Sequence, residues 1–193
     1  MGGGNGRLAT YHVRQQEAFD ERARRTEEGA DGAVHVWAQE YNKDGHRKYL
    51  CGTLAELWRS MHVLDACHRH FYELIYGDAW ARLYMDVEVY RSGKHAPTWR
   101  RARWLDERYC NARMDDLFAH IRSLLSELYG DEVAQCVRFV QTDSSNERKF
   151  SRHVVAHMQC GDVEYAFEST VHAGRFVDLL VERNAGTYVA QMV

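Results

Sequence analysis

Between residues 82 and 90 the chain alternates with a period of two. Leu83, Met85, Val87 and Val89 are apolar, and Tyr84, Asp86 and Glu88 stand between them. That period belongs to a β-strand with one face in a core and the other in water. Further on, Met114, Leu117, Phe118, Ile121, Leu124, Leu125 and Leu128 follow the 3, 1, 3, 3, 1, 3 spacing of an amphipathic helix, with Gly130 as its C-terminal stop. The two patterns require each other, because a half-apolar strand and a striped helix are stable only when their apolar sides meet. The class they dictate is mixed α/β. The chain has one proline, Pro97, where average usage of ~5% predicts about ten, so the regular elements should be long.

The remaining elements follow from local signals. Residues 34–40 and 47–51 are β-prone and flank Asn42-Lys43-Asp44-Gly45, where an Asp-Gly turn predicts a hairpin. Residues 8–28 are polar and charge-rich, with only Leu8, Tyr11 and Phe19 as an apolar stripe, and read as one mostly exposed helix. Thr53-Leu54-Ala55-Glu56 is a capping box opening a helix with Leu54, Leu57, Trp58, Met61 and Leu64 on one face. Residues 71–76 read as a strand, ended by a turn at Gly77-Asp78. A basic surface loop is expected over 91–104, strands near 136–142 and 149–158, a short helix near 172–183, and the start of a strand over 187–193.

Several function classes are excluded early. An apolar share of 45% with 12% aromatics can bury a core, so wholesale disorder is not expected. No run approaches the ~20 apolar residues of a membrane span, so no membrane role is expected. The first six residues lack the apolar stretch of a secretory signal, and Gly6 replaces the Ser or Thr of a myristoylation motif. A formal charge of −3 excludes nucleic-acid binding by bulk charge. The five cysteines (51, 67, 110, 136 and 160) are widely spaced and form no Cys-x-x-Cys, so they read as free thiols in a reducing compartment. Cys67, His68 and His70 fit no structural zinc spacing, and no zinc is expected.

Two clusters carry chemistry. Asp86 and Glu88 share the polar face of their strand, with Cα atoms roughly 7 Å apart. Carboxylates so placed can converge on hard divalent cations of the kind used in two-metal phosphoryl transfer. An amphipathic strand with a wet acidic face has the same pattern. Lys149, Ser151 and His153 likewise alternate onto one face and offer an ammonium, a hydroxyl and an imidazole to a triphosphate. A solvated edge strand, or a packed core position for His153, is the plain alternative. The loop before them, Asp143-Ser144-Ser145-Asn146-Glu147-Arg148, is polar and lacks the glycines of a P-loop.

Taken together, an Asp-x-Glu strand and a Ser-x-His strand bridged by a long helix resemble the archaeo-eukaryotic primase superfamily, and within it the eukaryotic primase-polymerase (PrimPol) family. Similar segments occur in family order: HVWAQE at 35–40, DGHRKYL at 44–50, AELW at 55–58, HFYELI at 70–75, RLYMDVEVY at 82–90, ELYG at 127–130, TDSSNERKFSRHVV at 142–155 and HAGRF at 172–176. The resemblance spans about residues 11 to 180. It implies a primase catalytic core of α/β (α+β) class. An N-terminal α/β module with a template-facing helix would occupy 1–77. The first part of an RRM-like catalytic module, C-terminally incomplete, would occupy 78–193.

The resemblance also implies roles. Asp86 and Glu88 would be the catalytic carboxylates binding Mg²⁺ or Mn²⁺. Arg47, Lys149, Ser151 and His153 would bind the nucleotide, and Arg14 and Gln15 would lie in the template-facing helix. The implied activity is DNA-directed primase-polymerase chemistry: nucleotidyl transfer to a 3′ hydroxyl, de novo priming and damage-tolerant synthesis. The implied partners are single-stranded DNA template and primer, a dNTP or NTP, and a single-strand-binding protein met through regions outside this sequence. The implied location is nucleus or mitochondrion. The family's third motif, an aspartate between hydrophobics followed by an Arg/Asn-rich strand, is expected beyond residue 193. Val177-Asp178-Leu179 only looks like it, because it follows HAGRF directly and no such strand comes after. The basic run of Arg91, Lys94, Arg100, Arg101, Arg103 and Arg108 is either a solvated loop or a phosphate-binding patch. Two other functions use the same residues: a non-catalytic nucleotide or single-strand DNA-binding module, and a metal-dependent nuclease.

Overall fold

The computed structural model describes residues 7–41, 46–77, 79–91 and 107–192. Among these the chain is mixed α/β, with two antiparallel sheets and five α-helices. It divides into two units, one ending at Ile75 and the other beginning at Tyr76.

In the first unit, β1 (Thr10–His12), β2 (His35–Glu40), β3 (Arg47–Gly52) and β4 (Phe71–Glu73) form a sheet in the order β1-β3-β2-β4. The expected hairpin is present: β2 pairs antiparallel with β3 from His35↔Gly52 to Glu40↔Arg47. Its connecting residues 42–45 lie outside the described residues, as does Asp78 of the expected turn. The single helix expected over 8–28 is instead a strand, β1, followed by α1 (Gln15–Glu27). Polarity alone could not separate the two, because β1 owes its state to pairing with β3, with Thr10 opposite Cys51. The strand expected over 71–76 stops at Glu73, where β4 runs out of pairing with β2.

The capping box is confirmed on α2 (Leu54–His62). Thr53 Oγ1 accepts the Glu56 N–H at 3.3 Å, and Glu56 Oε2 accepts the Thr53 N–H at 2.8 Å. The most deeply buried residues of α2 are polar, Glu56 and Ser60; Leu57 packs half-buried against the cluster of Ala9, Trp37 and Leu50, while Leu54 and Trp58 are exposed. Partners account for this inversion. Glu56 takes the Arg25 guanidinium at 2.8 and 3.0 Å, and Ser60 Oγ accepts the Ala9 N–H at 3.0 Å. Gly52 is needed where these parts meet, since a Cβ there would lie 2.9 Å from Glu56 Oε2 and 3.0 Å from the Ala9 Cβ.

In the second unit, β5 (Leu83–Tyr90), β6 (Val137–Asp143) and β7 (Lys149–Cys160) lie in the order β5-β7-β6, and β8 (Val163–Tyr165) also pairs with β7. The apolar face of β5 is buried as its alternation requires. Leu83, Met85, Val87 and Val89 share a core with Met114, Leu117, Ile121, Leu124 and Leu125 of α3 (Glu107–Tyr129) and with Phe150, Val154 and Ala156 of β7. Phe118 is only partly buried and stacks on Phe139 at 4.1 Å, and Leu128 is exposed. The helix expected near 172–183 is α5 (Thr170–Arg183), whose cap Ser169 accepts the His172 N–H at 3.1 Å.

Three expectations are corrected in this unit. Residue 136 ends a short helix, α4 (Asp131–Cys136), so the strand begins one residue later. The segment expected to start a strand over 187–193 is a 3₁₀ turn, Val189–Gln191, with Val189 and Met192 in the core and the Met192 carbonyl accepting the Glu88 N–H at 3.0 Å. The cysteines are not all free thiols: Cys136 and Cys160 form a disulfide with Cα atoms 5.3 Å apart. Pairing of β6 with β7 brings the end of α4 beside the end of β7, a proximity invisible in the spacing. A reducing compartment therefore does not follow from cysteine usage. Cys51 and Cys110 are buried and lie outside the disulfide, and burial pushes the Cys51 thiol up to about 11, which makes it unreactive.

The disulfide closes a loop of 24 residues, worth about 3 kcal/mol by loop-closure entropy. Changing both Cys136 and Cys160 to serine is therefore expected to lower unfolding free energy by about 2–4 kcal/mol in urea titration. Equal midpoints with and without the bond would contradict that expectation.

Candidate active site

The polar face of β5 carries Tyr84, Asp86, Glu88 and Tyr90, each exposed or half-buried, opposite the core face. β7 lies antiparallel beside it, in a register that sets Asp86 against His153, Glu88 against Ser151 and Tyr90 against Lys149. Directly opposed residues share a face of the sheet. The five residues singled out from two alternations 65 positions apart therefore share one face of the sheet, where Asp86, Glu88, Lys149 and His153 are exposed or half-buried and Ser151 is fully buried. Thr142 of β6 extends that surface on the far side of β7, opposite His153.

The side chains are in contact. His153 Nε2 lies 3.5 Å from Asp86 Oδ1, and both side chains are nearly half exposed. His153 is therefore not a packed core histidine. Glu88 is more recessed, with side-chain exposure of 24%. It accepts from Lys149 Nζ, and from Ser151 Oγ at 3.5 Å. The Lys149 ammonium holds the Glu88 carboxyl below its ordinary range, helped by the Tyr90 hydroxyl, against the opposing effect of burial. Reciprocally, Glu88 raises Lys149 and Tyr90 above their ordinary values. Glu88 is thus ionised over the whole neutral range, with an ammonium held beside it.

Two carboxylates two residues apart are an oxygen donor set of the kind that suits Mg²⁺ or Mn²⁺, ions that complete their shells with water and phosphate oxygens. Among the described residues no group of three or more His, Cys, Asp or Glu side chains converges to hold a metal. Asp178 lies on α5, exposed, and is not part of this surface.

Other expected site residues belong to other elements. Arg47 belongs to the first unit, at the start of β3. There its guanidinium is 3.6 Å from Glu40 and 5.3 Å from the centre of the Tyr72 ring, while the Tyr72 hydroxyl donates to Glu40 at 2.8 Å. Arg14 and Gln15 are exposed where α1 begins. Of the basic run, Lys94, Arg100, Arg101 and Arg103 lie outside the described residues. Arg91 is described: its N–H donates to the Arg148 carbonyl at 2.7 Å. Cys67 and His68 lie in a 3₁₀ turn, Ala66–His68.

Sequence reasoning missed Arg152, Asp143 and Ser145. Arg152 is 7% exposed and stands on the helix-covered face between Phe150 and Val154. A signal existed, since an arginine interrupts the apolar half of the 149–158 alternation, and a buried charge needs partners.

No family model matches the chain. Curated proteins do match it. It is 31% identical over 162 residues to the DNA-directed primase/polymerase protein of Gallus gallus, covering 81% of this chain and 25% of that protein. The same-named proteins of Homo sapiens and Bos taurus are 31% and 32% identical, each match covering 77% of this chain and 24% of the relative. The chain thus spans about a quarter of the length of the curated relatives it matches. The matches extend well beyond the two short strands and agree with the resemblance carried by the motifs: over the segment it spans, the chain is similar to the DNA-directed primase/polymerase family.

Proposed function

We propose that this chain is the metal- and nucleotide-binding segment of a primase-polymerase, acting in template-directed nucleotidyl transfer to a 3′ hydroxyl. The observation that supports it best is the register of β5 on β7, which opposes Asp86 to His153 and Glu88 to the buried Ser151 on one face of the sheet. Asp86 and Glu88 would hold two Mg²⁺ or Mn²⁺ ions. Bound there, such ions neutralise charge at the α-phosphate and leaving pyrophosphate and acidify the attacking hydroxyl. Lys149, Ser151 and His153 would bind triphosphate oxygens, Lys149 as a point charge and Ser151 and His153 as directional donors. Arg47 would add a planar guanidinium suited to two phosphate oxygens at once.

The second unit would be the first part of an RRM-like catalytic module, with a third carboxylate supplied by a strand outside this sequence. Single-stranded template and primer, de novo priming, damage-tolerant synthesis, contact with a single-strand-binding protein and a nuclear or mitochondrial location belong to the same proposal, on the family's authority. A non-catalytic nucleotide or single-strand-binding module is the second reading, favoured by the lack of a third converging ligand among the described residues.

The test is incubation with Mn²⁺, the four dNTPs and an end-labelled primer on a template. Lengthening of the primer is the expected result. Shortening would show a nuclease, and an unchanged primer with tight dNTP binding would show a binding module.

A further inference from the structure

Behind the open face, the core side of β7 holds a charged group. Arg152 lies between α3 and the loop that joins β6 to β7, its guanidinium 4.3 Å from the centre of the Phe150 ring. Its partners are the Asp143 carboxylate, Ser145 Oγ at 2.6 Å, the Ser151 carbonyl at 3.2 Å, Asn111 Oδ1 at 3.5 Å and Glu107 Oε1 at 3.6 Å. A guanidinium offers five N–H donors in a fixed plane, so one side chain can serve helix, loop and strand together.

The loop passes this constraint to the open face. Asp143 Oδ1 accepts the Ser145 N–H at 2.8 Å, which bends the loop back onto β7. Ser145 Oγ then accepts the Ser151 N–H at 3.0 Å, and the Ser144 N–H donates to the Ser151 carbonyl at 3.0 Å. Asn146 Oδ1 accepts the N–H groups of Arg148 and Lys149 at 2.9 and 3.1 Å. The main chain of Ser151 is therefore held on both its donor and its acceptor by a loop that Arg152 anchors. Its side chain projects to the opposite face, with Oγ 3.5 Å from Glu88 Oε1. The Asp143 carboxyl is held below its ordinary range, first by the Ser145 N–H, so the anchor is ionised at neutral pH.

We propose that Arg152 is a positioning residue for the triphosphate site: through Asp143 and Ser145 it fixes the main chain of Ser151, and so the placement of Ser151 and Lys149 beside Glu88. This rests on the nucleotide-site reading above. Arg152 contacts α3 and the loop, so it acts on the nucleotide only through β7. Small displacements of positioned groups weaken binding and catalysis strongly, which gives such an anchor its leverage.

Two measurements test it on the whole chain. The first is amide hydrogen exchange of Ser151, which requires no ligand. The second is binding of a fluorescent dATP analogue in the presence of Mn²⁺. Ser145→Ala removes one hydroxyl in a partly exposed loop and leaves the Arg152–Asp143 pair intact. It is expected to speed Ser151 exchange and raise the Kd about tenfold each, the order of one lost hydrogen bond, with the thermal midpoint lowered by no more than a few degrees. Ser145→Thr, which keeps the hydroxyl, is expected to restore both within about threefold of wild type. Arg152→Lys, which keeps the charge and loses the planar fork, is expected to raise the Kd at least as much as Ser145→Ala. Faster exchange with an unchanged Kd overturns the positioning role, and so does a Kd unchanged in both Ser145→Ala and Arg152→Lys. Failure of the wild-type chain to bind the analogue overturns the nucleotide-site reading itself, whatever the exchange rates show.

Discussion

Primer extension is expected to fall by about a thousandfold or more when Asp86 and Glu88 are both replaced by alanine, measured with Mn²⁺, dNTPs and a labelled primer on a template. The size follows from removing charge stabilisation worth several kcal/mol from the transition state, at about 1.36 kcal/mol per factor of ten. The double substitution should leave the fold intact. Asp86 is half exposed, and the Glu88–Lys149 pair is about a quarter exposed on each side, so its loss costs at most about 1 kcal/mol. Both residues stand on the open face, away from Val87 and Val89, which carry the packing against α3. A thermal midpoint within a few degrees of wild type would separate lost chemistry from lost structure. Extension at the wild-type rate in the double variant would remove the metal assignment.

The largest stability effect is expected in the first unit. Arg25 and Glu56 form an ion pair with side-chain exposures of 7% and 8%. Truncating one partner of a buried pair strands the other and costs about 3–5 kcal/mol. Arg25→Ala should fall at the low end, because Glu56 keeps the Thr53 N–H at 2.8 Å and the more distant Arg7 guanidinium at 3.7 Å. The pair also has a pH signature. Burial alone would raise Glu56, but the Thr53 N–H and the Arg25 guanidinium outweigh it and hold the carboxyl below its ordinary range. A carboxyl depressed in the folded state stabilises the fold at neutral pH. That contribution is lost as pH falls below the ordinary glutamate value of about 4.3. Without Arg25 burial pushes Glu56 up, so acidification no longer removes this contribution, and the gap between Arg25→Ala and wild type should narrow from pH 7 to pH 4. Urea unfolding at pH 7 and pH 4 checks both points. A loss under about 1 kcal/mol at pH 7 would show that the pair is not load-sharing in this way.

The geometry of the candidate site was legible because its two strands are written in a simple code. Period two placed Asp86 with Glu88 and Ser151 with His153, and the 3.6-residue stripe of α3 determined which face of β5 would be covered. Elements whose state depends on a distant partner were not legible. β1 is polar and three residues long, and it is a strand only because β3 offers it an edge. The polar inner face of α2 depends on Arg25, 31 positions from Glu56. The disulfide depends on the pairing of β6 with β7. Each joins residues whose proximity no local pattern encodes.

The family resemblance, the mixed class and the candidate residues of the β5–β7 face were legible in the sequence itself, through two periodicities and the ordered motifs around them. What only the tertiary structure decided is the register, which opposes Asp86 to His153 and Glu88 to Ser151, and the buried Arg152 that holds the second of these strands from behind. The reason is physical. Side-chain alternation is a local property of an extended chain, whereas strand register and the partners of a buried charge are chosen by packing across the whole unit.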